Sequence, residues 1–366
     1  MLKLLLRLRK IRALVNHPEF CQNQTIDRPV LFMKMSILKS ARWAALAIGV
    51  SLPFTLTQNL PASEDAPHAA FAQWADVPKP GQLIAGLFYD ESEAYHIFAN
   101  GGKSYNVDSP SGGEHYGLDV NQGWLTLQYG ITKKWAADLN VGATTVGWRT
   151  FNFAPGNVNS GTPGTIRKTT GLMDIAFGVR YQIFDEGESN APSWLPTLTF
   201  RAGAVLPGSY SQNLAFAPGI RSAAIESEFL AKKHFGWPGF GAYGDALYRW
   251  NRTTGNDQII AALGLFQQIK GWELDAGYRR LQTIGGTDLL YNPATKTLST
   301  SGSDPNAFSE LREINDSVEL GFSYTTPKRH IKYSFYSRSV FDGNNSDRKF
   351  WIGAGIEMPF QIFKRD

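Results

Sequence analysis

The chain has 366 residues, of which 19% are charged, 13% are aromatic and 36 are glycine, with a formal net charge of +4 and one cysteine. Soluble domains carry roughly 25% charged residues and about 7% glycine, so this composition favours strands and excludes both a bundle of membrane helices and a disordered polar chain. The small net charge implies no nucleic-acid surface, and with Cys21 in the N-terminal region the rest of the chain has no disulfide framework, Cys-rich zinc site or cysteine nucleophile.

Residues 1–34 hold a basic, leucine-rich stretch and are expected to be an upstream extension, with translation starting at Met33 or Met35. From Met35, Lys39 and Arg42 precede an apolar run from Trp43 to Leu56, and Ala70-Phe71-Ala72 offers a cleavage site before Gln73. This is the layout of a secretory signal peptide over 35–72. A membrane anchor is the alternative, although the run is short for a span of about 20 residues. Residues 73–366 then form one domain.

Period-two alternation dominates from there on, as a strand requires when its two faces meet different surroundings. Trp135, Ala137, Leu139, Val141 and Ala143 alternate with Ala136, Asp138, Asn140, Gly142 and Thr144. Met173, Ile175, Phe177, Val179 and Tyr181 oppose Asp174, Gly178, Arg180 and Gln182. The pattern returns around Phe240–Trp250, Trp272–Tyr278, Val318–Tyr324 and Phe350–Met358. The breakers bound roughly twelve segments of about 10 to 15 residues, longer than the ~5–6 of soluble strands and close to the ~9–11 of a tilted membrane strand. The polar face carries Gly, Ser, Gln and sparse charges of both signs, which suits a confined lumen better than a wet surface.

Gaps near 99–113, 150–168, 207–217, 251–256, 284–308 and 342–347 are mostly long and polar, whereas those between them are mostly tight. Aromatic residues gather beside the tight turns, and Trp135, Tyr181, Trp194, Trp237, Trp272, Tyr324 and Phe360 are expected to form an interfacial girdle. The predicted fold is all-β: a closed antiparallel transmembrane β-barrel of about 12 strands with long extracellular loops and short periplasmic turns. In hydrocarbon an open edge leaves backbone groups without partners, so the last strand must pair with the first.

Three segments carry a family resemblance: Tyr129-Gly130-Ile131-Thr132-Lys133-Lys134-Trp135, Thr170-Gly171-Leu172-Met173-Asp174-Ile175 running to Val179-Arg180-Tyr181, and Ala204-Val205-Leu206-Pro207-Gly208. They resemble the outer-membrane barrels grouped as transporters of the meta-pathway of phenol degradation, and the similarity spans most of 83–360. The resemblance implies passage of small, including aromatic, molecules. The chain departs from it in ending Phe363-Lys364-Arg365-Asp366 rather than on an aromatic residue, and in reading Pro207-Gly208-Ser209 where Pro-Thr-Gly is usual.

Gly239 to Gly244 matches a dinucleotide-binding glycine pattern, but it opens a strand rather than a helix, so strand packing is the expected role. His68, His96, His115, His234 and His330 are scattered, and neither G-x-S-x-G nor H-E-x-x-H occurs, so no metal, cofactor or catalytic residue is expected. With apolar faces toward lipid, Asp138, Asp174, Arg180, Arg201, Asp245, Arg249, Glu273, Asp275, Arg279, Glu319 and Arg338 face the lumen as a candidate solute path, together with Glu226, Glu228, Lys232, Lys332 and Glu357. Their near balance argues against a strongly ion-selective pore. Phe151, Phe153, Leu289, Tyr291 and Phe308 lie in two long loops as candidate gate residues. The expected function is passive or facilitated passage of small organic solutes by a monomeric, non-enzymatic barrel in a bacterial outer membrane. Its partners would be the bilayer, lipopolysaccharide and the barrel assembly machinery. A structural or adhesive barrel with a plugged lumen is the alternative, followed by a membrane-embedded lipid-modifying enzyme.

Overall fold

The computed structural model describes residues 75–106, 118–149, 152–153, 166–189, 191–209, 222–252, 255–292, 297–301 and 310–363. The expected extension over 1–34 and the signal peptide over 35–72 lie outside the described residues. In chain order the strands are β1 (Gln82–Phe98), β2 (Ser104–Asn106), β3 (Leu118–Gly130), β4 (Trp135–Arg149), β5 (Asn152–Phe153), β6 (Ile166–Leu172), β7 (Ile175–Phe184), β8 (Thr197–Leu206) and β9 (Ala224–His234). They continue with β10 (Phe240–Asn251), β11 (Asp257–Ile269), β12 (Trp272–Ile284), β13 (Leu289–Asn292), β14 (Thr297–Thr300), β15 (Ile314–Thr325), β16 (Lys332–Asn344) and β17 (Ser346–Gln361).

Twelve staves make the wall: β1, β3, β4, β6 with β7 as one, β8 to β12, β15, β16 and β17, each antiparallel to its neighbours. The ring closes where β17 pairs with β1, from Gln82 opposite Gln361 to Phe98 opposite Ser346. That pairing leaves no open sheet edge to meet lipid, which is the condition for a sheet to cross a bilayer. No helix among the described residues is long and apolar enough to cross a membrane.

The alternation seen in the sequence sorts side chains between two surroundings. Leu87, Phe177, Leu263, Leu320 and Phe335 point outward and are exposed, while Asp138, Arg180, Arg201, Glu228 and Glu319 on the opposite faces are buried. A surface so apolar is stable against hydrocarbon and costly against water, at ~25 cal/mol per Å². Turn chemistry fixes the register. Lys270 and Gly271 both adopt positive φ, 50° and 87°, the backbone of a type I′ turn, which joins β11 to β12 in two residues. Between β3 and β4 the Thr132 hydroxyl accepts hydrogen bonds from the backbone N–H groups of Lys134 and Trp135, at 3.2 and 3.0 Å.

Two sequence expectations are corrected. Met173 was placed with Ile175 and Phe177 on the lipid face, but Leu172 is exposed and Met173 is fully buried inside the barrel. The stave breaks at Met173-Asp174, between β6 and β7, and the two-residue irregularity shifts the facing by one position. The gap at 342–347 was grouped with the long loops; instead β16 and β17 meet at the single residue Asn345, with φ of 54°. Asparagine tolerates this left-handed conformation, which is what so tight a reversal needs.

At the periplasmic end the longer turn 185–196 is tied to β9. Glu186 accepts a hydrogen bond from the His234 backbone N–H at 3.0 Å, and its carboxylate also meets the His234 ring and the Lys233 ammonium. Burial alone would raise the Glu186 pKa, but these donors outweigh it and hold the carboxyl below its ordinary value. A lowered folded value means the stabilisation is complete above the unfolded pKa of about 4.3 and is lost as pH falls through the folded one. Glu186→Gln is expected to flatten the acid limb of the unfolding free energy between pH 5 and 2 (approximate bounds), as denaturant titrations in micelles across that range would read.

Candidate functional site

The interior carries a ladder of ion pairs and clusters of aromatic residues. On the β4-to-β12 side, inward charges of alternating sign form a ladder. Asp138 on β4 accepts from Arg201 Nε on β8 at 3.0 Å and ion-pairs with Arg180 Nε on β7 at 3.4 Å. Arg201 also reaches Glu226 at 2.7 Å and Glu228 at 3.5 Å, both on β9. Arg249 on β10 binds the other oxygen of Glu226 with Nε at 2.9 Å, and Arg279 on β12 lies 3.6 Å from Asp245. Four acids and four arginines thus neutralise one another across the wall. So complete a pairing is what confined charges need, because an unpaired charge there costs several kcal/mol (~3–5).

Across the lumen, on β1, β3 and β16, aromatic residues also line the wall, as Tyr243 and Phe266 do on β10 and β11. Phe88, Trp124 and Tyr336 form a buried cluster with Met173. Each ring lies against a glycine of the adjoining strand, Phe88 over Gly355, Trp124 over Gly142 and Tyr336 over Gly353, and a Cβ at any of the three would collide with its ring. The glycines let the rings lie along the wall instead of standing across the lumen.

Each mouth carries a further segment of the chain. After β4, the third stave from β1, strand β5 pairs in parallel with β14, which follows β12, the ninth stave. The third and ninth of twelve are diametrically opposed, so the sheet β13-β14-β5 links segments that leave opposite sides of the barrel at one mouth. It is moored at the rim: the Leu289 N–H donates to Asn345 Oδ1 at 2.8 Å, Arg312 binds Asp288 at 2.8 Å, and the Tyr105 and Tyr291 rings lie 4.4 Å apart.

At the periplasmic mouth, residues 75–81 leave β1 and run inward. Gly81 donates to the Gly130 carbonyl at 2.7 Å, and the segment then crosses to the far wall. There the Ala75 carbonyl accepts from the buried Thr199 hydroxyl at 2.6 Å, and Asp76 binds the Lys232 ammonium at 2.6 Å. The strap therefore reaches from the first stave to the staves of β8 and β9.

Ten of the eleven expected lumen residues face inward as read: Asp138, Arg180, Arg201, Asp245, Arg249, Glu273, Asp275, Arg279, Glu319 and Arg338. Asp174 instead sits in the β6–β7 break, where its carboxylate accepts from the Gly208 N–H at 2.8 Å and holds the end of β8. Of the gate residues, Leu289 and Tyr291 lie in β13 and Phe153 in β5, all in the bridging sheet. Phe151 and Phe308 lie outside the described residues. Along the girdle, Trp135 stacks beside Tyr181 at 4.8 Å and Trp272 beside Tyr324 at 4.4 Å. Of the other residues expected in the girdle, Trp194 and Trp237, each 75% exposed, and the exposed Phe360 lie at the same end. The strap, Asp90 and the aromatic cluster were not expected. After Gln82, β1 runs Leu83-Ile84-Ala85, apolar on both faces, and gave no alternation to read.

No protein-family model and no curated protein matches the sequence. Among solved structures, an outer membrane channel from Pseudomonas putida F1 superposes with a TM-score of 0.55 at 15% identity, over 81% of this chain and 100% of that one. The translocator domain of the autotransporter NalP from Neisseria meningitidis follows at 0.41 and 13% identity, over 89% of this chain and 96% of its own, a score too low to carry an argument. The first likeness shows the fold alone, a closed β-barrel.

Proposed function

We propose that the protein is a channel of the bacterial outer membrane that passes small organic solutes by passive or facilitated diffusion, with access governed by its own two covers. The observation that supports this most directly is the arrangement of the lumen. Ion-paired side chains neutralise one another along the ladder and rings lie flat over glycines beside it, while the strap at one mouth is held to the far wall by few contacts among the described residues. Such a strap is displaceable, since a few hydrogen bonds at about 1 kcal/mol each are within reach of thermal opening.

No bond is made or broken in this mechanism. A solute enters when the bridging sheet moves, exchanges part of its hydration for lumen groups, and leaves past the strap down its gradient. The outward apolar band and aromatic girdle fit a bilayer with lipopolysaccharide in the outer leaflet. A closed antiparallel ring of one chain needs no partner subunit and is a substrate for the barrel assembly machinery. The likeness to the barrels of the meta-pathway of phenol degradation extends the proposal to small aromatic solutes. A structural or adhesive barrel is the second reading, favoured by the presence of covers at both mouths.

Planar bilayers holding the refolded protein separate the two, with heat modifiability on a gel as the independent sign of folding and insertion. Discrete current steps that small aromatic solutes reduce are expected. Folded, inserted protein that stays silent would leave only the plugged barrel.

A further inference from the structure

Charge is not spread evenly around the lumen. Once Arg279 is matched with Asp245, the staves β12, β15, β16, β17 and β1 carry the inward acids Asp90, Glu273, Asp275, Glu319, Asp347 and Glu357 against the inward cations Lys332, Arg338 and Lys349, the last paired with Asp347 at 3.1 Å. Lys332 is taken by Glu273 at 3.3 Å and Arg338 by Glu319 at 2.7 Å. Asp90, Asp275 and Glu357 are left over; Asp90 accepts from the Tyr336 hydroxyl at 3.3 Å, and Asp275 enters no ion pair within 4 Å among the described residues. Asp275 is 6% exposed, its Oδ1 is buried without a hydrogen-bond partner among the described residues, and its carboxylate lies over Gly321 of β15.

A second observation points to a ligand there. The hydroxyls of Ser323 on β15 and Ser334 on β16, both 3% exposed, make no hydrogen bond among the described residues. The two serines are register partners, and Gly321 is the register partner of both Asp275 and Tyr336. A buried carboxylate and two buried hydroxyls without partners thus share one patch of wall, beside the aromatic cluster of Phe88 and Tyr336. Every polar atom left over at this patch is an oxygen, and oxygens facing an acidic sector call for a donor bearing positive charge. The aromatic faces alongside favour a cation that carries apolar groups, through cation–π attraction and burial.

We propose that the inner face of β12, β15 and β16 is a recognition subsite for small organic ammonium ions, the ammonium held by Asp275 with Ser323 and Ser334, and the apolar part lying against Tyr336 and Phe88. This deepens the channel reading by naming a solute class, and rests on it for entry to the lumen. The site also explains why the acid surplus is tolerated: it is completed by its passenger.

The test uses the full-length folded barrel in micelles, titrated with benzylammonium, benzyl alcohol and benzoate, three probes that share a ring and differ in charge. Tryptophan fluorescence reads binding and the loss of the heat-modifiable form reads stability. Benzylammonium is expected to bind saturably and raise the unfolding midpoint, with the alcohol and the acid at least about tenfold weaker. Asp275→Asn removes a charge that breaks no ion pair, so the barrel stays folded while benzylammonium affinity falls about tenfold. Ser334→Ala supplies an independent variant with a smaller loss of the same sign.

Equal binding of benzyl alcohol would reduce the patch to apolar surface, and unchanged affinity in Asp275→Asn would place the ion elsewhere; either overturns the proposal. Benzylammonium binding by a barrel silent in bilayers overturns the channel and leaves the subsite. A conducting barrel without preference for the ammonium does the reverse.

Discussion

Arg201→Ala is expected to lower the unfolding free energy by about 3–5 kcal/mol, the cost of leaving partners of a buried ion pair uncompensated. Arg201 is the most connected residue of the ladder: its guanidinium reaches Asp138, Glu226 and Glu228 on β4 and β9 at once. Arg180 and Arg249 still neutralise part of the charge of Asp138 and Glu226, but Glu228 keeps no other ion pair within 4 Å among the described residues. Arg201→Lys retains the charge and loses the fork that satisfies three carboxylates together, so it falls between wild type and alanine. Arg280→Ala is the control. Its pair with Asp316 at 2.9 Å is half exposed at 42% for the arginine side chain, and its loss is expected to cost no more than about 1 kcal/mol. Denaturant unfolding of the three variants in one detergent gives the ranking, and an Arg201→Ala loss as small as that of Arg280→Ala would mean that water enters the ladder and screens it.

The ladder was legible in the sequence because each of its members lies on a strand with a plain outward apolar phase. Asp138 is fixed as inward by Ala137 and Leu139, and Arg180 by Val179 and Tyr181. Once phase is known, facing follows with no knowledge of neighbours. The same logic failed at Met173, where one irregularity reverses facing without any change in composition. Partnerships were not legible at all. That Asp138 meets Arg201 rather than Arg279 depends on stave order and register, which are set by pairings between residues far apart in the chain. Nor did the sequence mark the acidic sector: a balance counted over the whole lumen hides that the surplus lies along one side of it. The strap was invisible for a different reason. Residues 75–81 have no periodicity, and their position comes from the anchors Thr199 and Lys232, which are more than a hundred residues away.

Those anchors give the second large effect. Asp76 carries the only ion pair between the strap and the far wall among the described residues, and a charge-assisted pair of this kind contributes roughly 1.5–3 kcal/mol when sheltered. The Asp76 side chain is 48% exposed, so the lower figure applies, equivalent to about a tenfold shift in an opening equilibrium. Asp76→Lys goes further, since it sets a second cation beside Lys232 and close to Arg180, whose Nη1 reaches the Asp76 carbonyl at 3.5 Å. The open fraction in single-channel records of Asp76→Lys is therefore expected to rise by at least about tenfold, with the same unit conductance, because the change frees a cover and leaves the wall intact. Reversing the pair with Asp76→Lys and Lys232→Asp together should bring the open fraction most of the way back. Restoration distinguishes a latch from general loosening: a barrel merely destabilised by the substitution would open further, not less, when a second residue is changed. An open fraction unmoved in Asp76→Lys would show that the strap does not limit flow and would place the gate in the bridging sheet at the opposite mouth.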